Sequence, residues 1–126
     1  MSFQITVARG RSVDYSGVLY ESDESTAVTP ASGSKVRFKA GRRNGATPAL
    51  DIDSVAATAN GSVMTLDVDT GAYTLKIDQN DTRDLVPGVY EAEIALVDVG
   101  DGNRIKTAEF GTLQILESLD GDLSIT

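Results

Sequence analysis

Cysteine, histidine and tryptophan are all absent from this chain of 126 residues. Without cysteine there is no disulfide, no thiolate nucleophile and no Cys-based zinc site, and without histidine there is no catalytic triad with an imidazole base. Small secreted scaffolds that depend on disulfides are therefore disfavoured, and the core must be held by packing. Nucleophilic catalysis would need a lysine or carboxylate base, and no motif places either beside a serine.

Positive charge is scarce, with 11 Lys and Arg against 19 Asp and Glu, which gives a formal net charge of −8. Because binding to phosphates depends on surplus lysine and arginine, this balance argues against a general nucleic-acid binder. Long apolar runs are also lacking: no stretch reaches the ~18 residues of a membrane span, and Met1–Ile5 lacks the layout of an export signal. The sequence predicts a soluble protein made in the cytoplasm, with neither membrane nor nucleic acid as partner.

Apolar residues recur at every second position in several short runs, as in Phe3, Ile5 and Val7. This period is typical of strands that bury one face, and no helix of ordinary length is visible. Short strands separated by turn residues predict an all-β sandwich or barrel, with Val89–Val97 as a central strand. The predicted core residues are Val36, Phe38, Leu66, Tyr73, Leu75, Tyr90, Ile94, Leu96 and Ile115.

The length predicts one domain, with a β-sandwich over residues 1–116 and an acidic tail over 117–126. Polar segments rich in Gly, Pro, Asn and Asp predict a loop at 21–34 and turns at 42–45 and 100–103. The small, Ala-rich segment 53–62 predicts a loop, with a single helical turn as the alternative. The polar segment 78–85 predicts a crossover that holds one helical turn capped by Asn80 or Asp81.

Glycines interrupt two of the predicted strands. Ser16 and Gly17 fall inside the run Val13–Tyr20, which predicts a bulge or a close approach of backbone. Gly111 is predicted to separate the strand 104–110 from Leu113 and Ile115.

Paired carboxylates are the first candidate for chemistry, since two acids that flank a sugar can hydrolyse a glycoside. The pairs Asp51/Asp53, Asp67/Asp69 and Glu91/Glu93 are each spaced i, i+2, which places both acids on the outward face of a strand. The turn 98–103 offers oxygen ligands for calcium but lacks the closing glutamate and spacing of an EF-hand. We therefore expect a solvated sheet surface, no catalytic residues, no metal site and no cofactor.

Five cations fall within nine residues of an otherwise acidic chain. Lys35, Arg37 and Lys39 share one face of a predicted strand, and Arg42 and Arg43 follow it. No Phe or Tyr interleaves with them, as stacking on bases would require. Two interpretations stay open: a solvated strand face, or a contact surface for an acidic partner, including the tail of a neighbouring copy. The loop 21–34 is a further candidate contact.

The run LKIDQNDTRDLVPGVYEAEIALVD, a Gly-Asp-Gly-Asn turn and IKTAEFGTLQI together form a recognisable pattern. It resembles the immunoglobulin-like β-sandwich modules of tailed-phage virion proteins, such as the N-terminal domain of phage baseplate upper proteins. The segments VRFKAGRRNG and VARGRSVDYSG are similar to upstream strands of that family. The matching residues are Thr82, Leu85, Pro87, Gly88, Tyr90, Gly111, Leu113 and Ile115.

The resemblance implies an immunoglobulin-like antiparallel β-sandwich of about 7–9 short strands. It also implies a non-enzymatic structural protein of the virion, made in the bacterial host, which decorates or cements the capsid or serves as a tail or baseplate accessory. The implied partners are other phage structural proteins, contacted as a homo-oligomer or in many copies per particle. The alternative is a carbohydrate-binding or adhesion module, which should expose aromatic side chains for stacking on sugars.

Overall fold

The computed structural model describes residues 2–20, 34–41, 49–67, 69–98 and 104–117. Within these ranges the chain forms eight strands and one short helix, in agreement with the predicted all-β class. The elements are β1 Ser2–Ala8, β2 Val13–Val18, β3 Ser34–Gly41, β4 Leu50–Asp53, β5 Val63–Leu66, β6 Ala72–Ile77, α1 Gln79–Arg83, β7 Gly88–Asp98 and β8 Arg104–Leu116.

The strands form two sheets that pack as an immunoglobulin-like sandwich. One sheet has five strands in the order β1-β8-β7-β3-β4, and the other has three in the order β2-β6-β5. Compared with the four and three strands of an immunoglobulin constant-type domain, β4 is added beside β3, and the first strand, β1, lies in the opposite sheet, beside β8. The prediction of an antiparallel sandwich is right for every pair except β1 and β8, which run parallel. Strand β7 lies at the centre of the five-stranded sheet, as predicted.

The core lies between the sheets and is built from alternating residues of each strand. Phe38 of β3 is fully buried, and its ring lies 6.4 Å from that of Phe3, which in turn lies 6.0 Å from Tyr15 on the opposite sheet. Antibody domains fill this region with a tryptophan and a disulfide, for which this chain has no residues. Of the nine predicted core residues, eight are buried, and Leu66 is half-buried at the end of β5.

Helix α1 connects β6 to β7, and its cap differs from the prediction. The Asp78 carboxylate accepts a hydrogen bond from the Asn80 backbone N–H at 2.9 Å, so Asp78 is the N-cap rather than Asn80 or Asp81. Asp81 instead accepts hydrogen bonds from Thr58 and Asn60, at 2.8 and 2.9 Å, and from Ser62. The segment after β4, predicted to be a loop, is thereby fastened to the helix.

The structure corrects the prediction that Gly111 ends a strand. Strand β8 continues through Gly111, which pairs with Phe3 of β1. A Cβ atom at Gly111 would lie 2.1 Å from the Phe3 carbonyl oxygen, so the glycine permits β1 to approach. At Gly17 the structure has neither the predicted bulge nor a close approach of backbone. Strand β2 pairs with β6 in continuous register, and the neighbour is a side chain, since a Cβ at Gly17 would lie 2.8 Å from the Tyr73 hydroxyl.

Two further boundaries differ from those predicted. Strand β5 ends at Leu66, so Asp67 and Asp69 lie in the turn to β6, where the Asp67 carboxylate accepts from the Asp69 backbone N–H at 2.9 Å. Ser34, predicted to close a loop, begins β3. The rest of that loop, the turns predicted at 42–45 and 100–103 and all of the tail except Glu117 lie outside the described residues.

Candidate binding surface on the five-stranded sheet

The cations of β3 point away from the core, as their alternation with buried residues predicts. Lys35, Arg37 and Lys39 alternate with Val36 and Phe38, both of which are fully buried. The surface that carries them is the solvent side of the five-stranded sheet, which we call the outer face. Arg42 and Arg43, the other two predicted contact residues, lie outside the described residues.

Acidic residues on both neighbouring strands flank this row of cations. Lys39 pairs in register with Glu93 of β7 on one side and with Asp51 of β4 on the other. Arg37 forms a two-point hydrogen bond with Asp51, Nε to Oδ1 at 3.0 Å and Nη2 to Oδ2 at 2.7 Å. Lys35 lies 3.9 Å from a carboxylate oxygen of Asp53.

These contacts change the ionisation of the paired groups in the expected directions. The hydrogen bond from Arg37 is the main cause that holds the pKa of Asp51 below its ordinary value. The same hydrogen bond raises the pKa of Arg37. Asp51 and Asp53 therefore serve as partners of cations on the neighbouring strand, which the i, i+2 spacing could not show. The sequence shows only that three alternating cations on β3 precede two alternating acids on β4. The contacts between them depend on the pairing of β3 with β4, which the sequence does not show.

Lys39 differs from its neighbours in this row. Among the described residues, no carboxylate oxygen lies within 4.0 Å of the Lys39 ammonium, so Lys39 forms no salt bridge there. Lys35 has one ion pair within the described ranges, the longer contact to Asp53 at 3.9 Å. The ammonium groups of these two lysines are thus less constrained than the Arg37 guanidinium, which is fixed by a carboxylate of its own chain.

A groove of about 220 Å³ lies between the cations and strand β8. Its floor is Ala95 and Val97 of β7, which face outward and yet are only 4% and 5% exposed. The side chains that stand around them produce this burial. The groove is lined by Lys35, Arg37, Lys39, Glu93, Ala95, Val97 and Ile105.

Ile105 reaches the outer face because of an irregularity in β8. The register of β7 and β8 shifts between Leu96 and Val97, so Leu96 pairs with Thr107 while Val97 pairs with Ile105. A β-bulge of this kind re-aims the side chains beyond it. Glu109, Leu113 and Ile115 of β8 face the core, but Ile105 faces solvent and is 54% exposed. Sequence periodicity alone places it on the wrong side.

Exposed apolar side chains concentrate on the outer face. Seven large hydrophobic residues are exposed in the described part of the chain. Four of them belong to β7 and β8 and face outward, namely Val89, Ile105, Phe110 and Leu116. Phe110, at 64% exposure, pairs in register with Glu93 and so stands beside the groove. Nothing in the sequence distinguishes these four residues, because a lone outward hydrophobic residue in a strand is common.

One buried polar contact lies on the opposite side of the five-stranded sheet. The Tyr73 hydroxyl donates a hydrogen bond to the Glu109 carboxylate at 3.4 Å, inside the sandwich. Burial is the main cause that raises the pKa of Tyr73, and the neighbouring Glu109 charge adds to it. Both side chains are buried, with Tyr73 2% and Glu109 8% exposed.

The described residues hold no group of three or more Asp or Glu side chains arranged to bind a metal ion. In the same part of the chain, no helix has the length and apolar character that crossing a bilayer requires.

No family model and no curated protein matches this chain. Among solved structures, an internalin-like protein of Listeria monocytogenes is similar over 89% of the chain, with 17% sequence identity and a TM-score of 0.43. The chain spans 27% of the length of that protein. A structure of the ZIG-8–RIG-5 IG1–IG1 heterodimer is similar over 93% of this chain and 84% of the matched one, with 13% identity and a TM-score of 0.45.

Proposed function

We propose that this chain is a non-enzymatic structural protein of a tailed-bacteriophage virion, which binds neighbouring subunits through its outer face. Decoration or cementing of the capsid is the leading role, with a tail or baseplate accessory as the other placement. The basis for a phage particle is the sequence resemblance, whose motif residues include Thr82, Tyr90 and Gly111. Each of these has a structural role here: Thr82 and Tyr90 are buried, and Gly111 admits β1.

The observation that carries the binding role is the combination of exposed apolar residues and cations on one face. Ile105 and Phe110 are more than half exposed beside a groove with an apolar floor and a basic rim. Apolar side chains grouped on the surface, with polar residues around them, mark protein interaction sites. The bulge in β8, opposite Leu96 and Val97, turns Ile105 outward, whereas a regular pleat would direct it into the core.

The second candidate, a carbohydrate-binding module, is favoured by Phe110 alone. An aromatic ring that is 64% exposed on a sheet face is the platform that stacking on a sugar requires. Tyr73 and Tyr90 are buried, and Tyr15 packs on the rings of Phe3 and Tyr73. Binding to sugar would therefore depend on Phe110, the one ring of the described residues that is more than half exposed, whereas binding to protein engages the exposed apolar residues of β7 and β8 together.

The experiment measures binding of the purified chain to particles of the encoding phage that lack it. Ile105→Asp and Phe110→Asp should each weaken binding at least tenfold, because each puts a charge into a desolvated apolar contact. Val63→Asp is the matched control, since Val63 is exposed on the opposite sheet. Equal binding by all four proteins would overturn the role of the outer face. Loss with Phe110→Asp alone, reversed by competing free glycan, would support the carbohydrate module instead.

A further inference from the structure

The groove on the outer face has the chemistry of a site for a short extended segment. Its floor, Ala95 and Val97, is apolar, and Ile105 forms one apolar wall. The opposite wall is the row of cations on β3. The long lysine side chains hold their ammonium groups away from the sheet surface. Lys35 and Lys39 can therefore pair with carboxylates on the side of a bound strand that faces solvent. A segment that fits the groove would therefore have aliphatic residues on the face towards the floor and acidic residues on the face towards solvent.

The chain itself contains a segment of this character at residues 117–126. Its sequence, ESLDGDLSIT, has three carboxylates and no lysine or arginine. In extended backbone, side chains alternate between two faces, so Leu119, Leu123 and Ile125 fall on one and Asp120 and Asp122 on the other. The pattern complements the groove in both hydrophobicity and charge.

Geometry favours a groove on another copy over the groove on the same copy. Glu117 follows the end of β8, where it pairs with Arg9. Ala108, which pairs with Ala95 at the groove, lies nine residues earlier along the strand, or ~30 Å at ~3.3 Å per residue. The six residues from Glu117 to Leu123 span at most ~22 Å when fully extended. Leu123 therefore cannot reach the middle of the groove, at Ala95, in its own domain.

We infer that the groove lined by Lys35, Lys39, Val97 and Ile105 receives the acidic, aliphatic segment 117–126 of a second copy of this chain. The inference rests on the proposed use of the outer face as a binding surface, and it names the occupant. Exchange between two copies gives a closed dimer, and exchange along a row gives a chain of subunits.

Sedimentation velocity of the full chain tests the inference with variants in which the charges of the groove and of the segment 117–126 are reversed. The wild-type protein should self-associate with a dissociation constant of ~1–100 µM, the range of small interfaces. Lys35→Glu/Lys39→Glu and Asp120→Lys/Asp122→Lys should each weaken association at least tenfold, because each sets like charges against one another. Combining all four substitutions should restore the wild-type constant within threefold.

The matched control for the groove variant is Lys76→Glu/Arg83→Glu, which reaches the same net charge, −8 − 4 = −12, at exposed positions away from the outer face. It should associate within twofold of wild type, apart from general repulsion that added salt removes. A fluorescent peptide of residues 117–126 should bind the wild-type chain and lose at least tenfold in affinity for Lys35→Glu/Lys39→Glu. Replacing Leu123 and Ile125 of the peptide by serine should abolish binding.

A wild-type chain that stays monomeric at ~1 mM, or a fourfold variant that fails to recover, would overturn the inference. These failures are distinct from failure of the proposed function. A chain that binds particles through Ile105 and Phe110 without self-association keeps the proposed function and removes the tail as occupant. Self-association that follows the charge reversals, without any binding to particles, keeps the occupant and removes the virion role.

Discussion

The hydroxyl of Tyr90 donates a 2.5 Å hydrogen bond to the backbone carbonyl of Val86, four residues upstream. Tyr90 is buried near the start of β7, and the bond closes the turn that leads into that strand. This arrangement is the tyrosine corner of immunoglobulin-like domains, in which a tyrosine at the start of the corresponding strand bonds back to the preceding turn. It explains why Pro-Gly-x-Tyr is a structural motif in this chain rather than a binding one.

Removing this hydroxyl tests the corner directly. Tyr90→Phe keeps the buried ring and deletes the donor, so the Val86 carbonyl loses its partner. We expect the free energy of unfolding to fall by ~1–2 kcal/mol, which is the usual effect of losing one partly buried hydrogen bond. Urea denaturation measures the change, provided that the dependence of the unfolding free energy on urea concentration is the same for both proteins. A loss under ~0.3 kcal/mol would mean that the corner does not stabilise the fold.

The Thr82 hydroxyl holds the turn after β1 against helix α1. It donates to the Arg11 carbonyl at 2.7 Å and accepts from the Gly10 backbone N–H at 3.1 Å, in a fully buried position. Thr82→Val has a similar shape but leaves both groups without that partner, so we expect a loss of ~1–3 kcal/mol. Thr6→Val, at an exposed position of β1, should change stability by less than ~0.5 kcal/mol. Similar thermal unfolding of the two variants would contradict this role.

Two glycines predict an order of destabilisation. Gly111→Ala puts a Cβ against a backbone carbonyl, which cannot move without displacing β1. Gly17→Ala puts it against the Tyr73 hydroxyl, at the far end of a side chain. We therefore expect Gly111→Ala to cost more, at least ~2 kcal/mol, and to increase hydrogen exchange of β1 amides selectively. The reverse order would show that β1 contributes little to the sandwich.

Asp81 gives stability that depends on pH. Partial burial alone would raise the pKa of Asp81, but hydrogen bonds from Ser62, Asn60 and Thr58 outweigh it and hold the pKa below its ordinary value. A carboxylate with a depressed folded-state pKa stabilises fully above its unfolded pKa of ~3.9, and this contribution is lost as the pH falls through the folded-state value.

We accordingly expect Asp81→Asn to lower the free energy of unfolding by ~1–3 kcal/mol at pH 7 and by much less near pH 2. Asp69→Asn, in the exposed turn between β5 and β6, is the matched control and should leave stability nearly unchanged at both values. Urea midpoints at the two pH values measure the difference. A constant deficit of Asp81→Asn across this range would refute the ionic origin of the effect.

The sequence predicted the sandwich well because its strands bury one face, and the period of two survives in single runs such as Val36–Ala40. It also placed Lys35, Arg37 and Lys39 on one outward face. The ion pair of Arg37 with Asp51 and the outward turn of Ile105 depend on strand pairing and on a bulge. Pairing brings together residues distant along the chain, and a bulge reverses the pleat at one residue, so neither appears in local periodicity.

Glycine shows the same limit. Glycine is favoured both where a strand breaks and where a neighbouring backbone comes very close. The sequence predicts a strand break at Gly111, but the structure has a close contact with β1 there. The parallel pairing of β1 with β8 is likewise invisible locally, because the two strands stand at opposite ends of the domain in sequence.

The absence of cysteine allows the most direct test of the outer face as the contact surface. Phe110→Cys and Lys76→Cys each place one thiol in the whole chain, the first on the outer face and the second on the opposite sheet. In the free protein both thiols should react readily with a maleimide. On assembled particles, reaction at position 110 should slow at least tenfold, while reaction at position 76 should stay within twofold. Equal reactivity at both positions, or protection only at position 76, would contradict it.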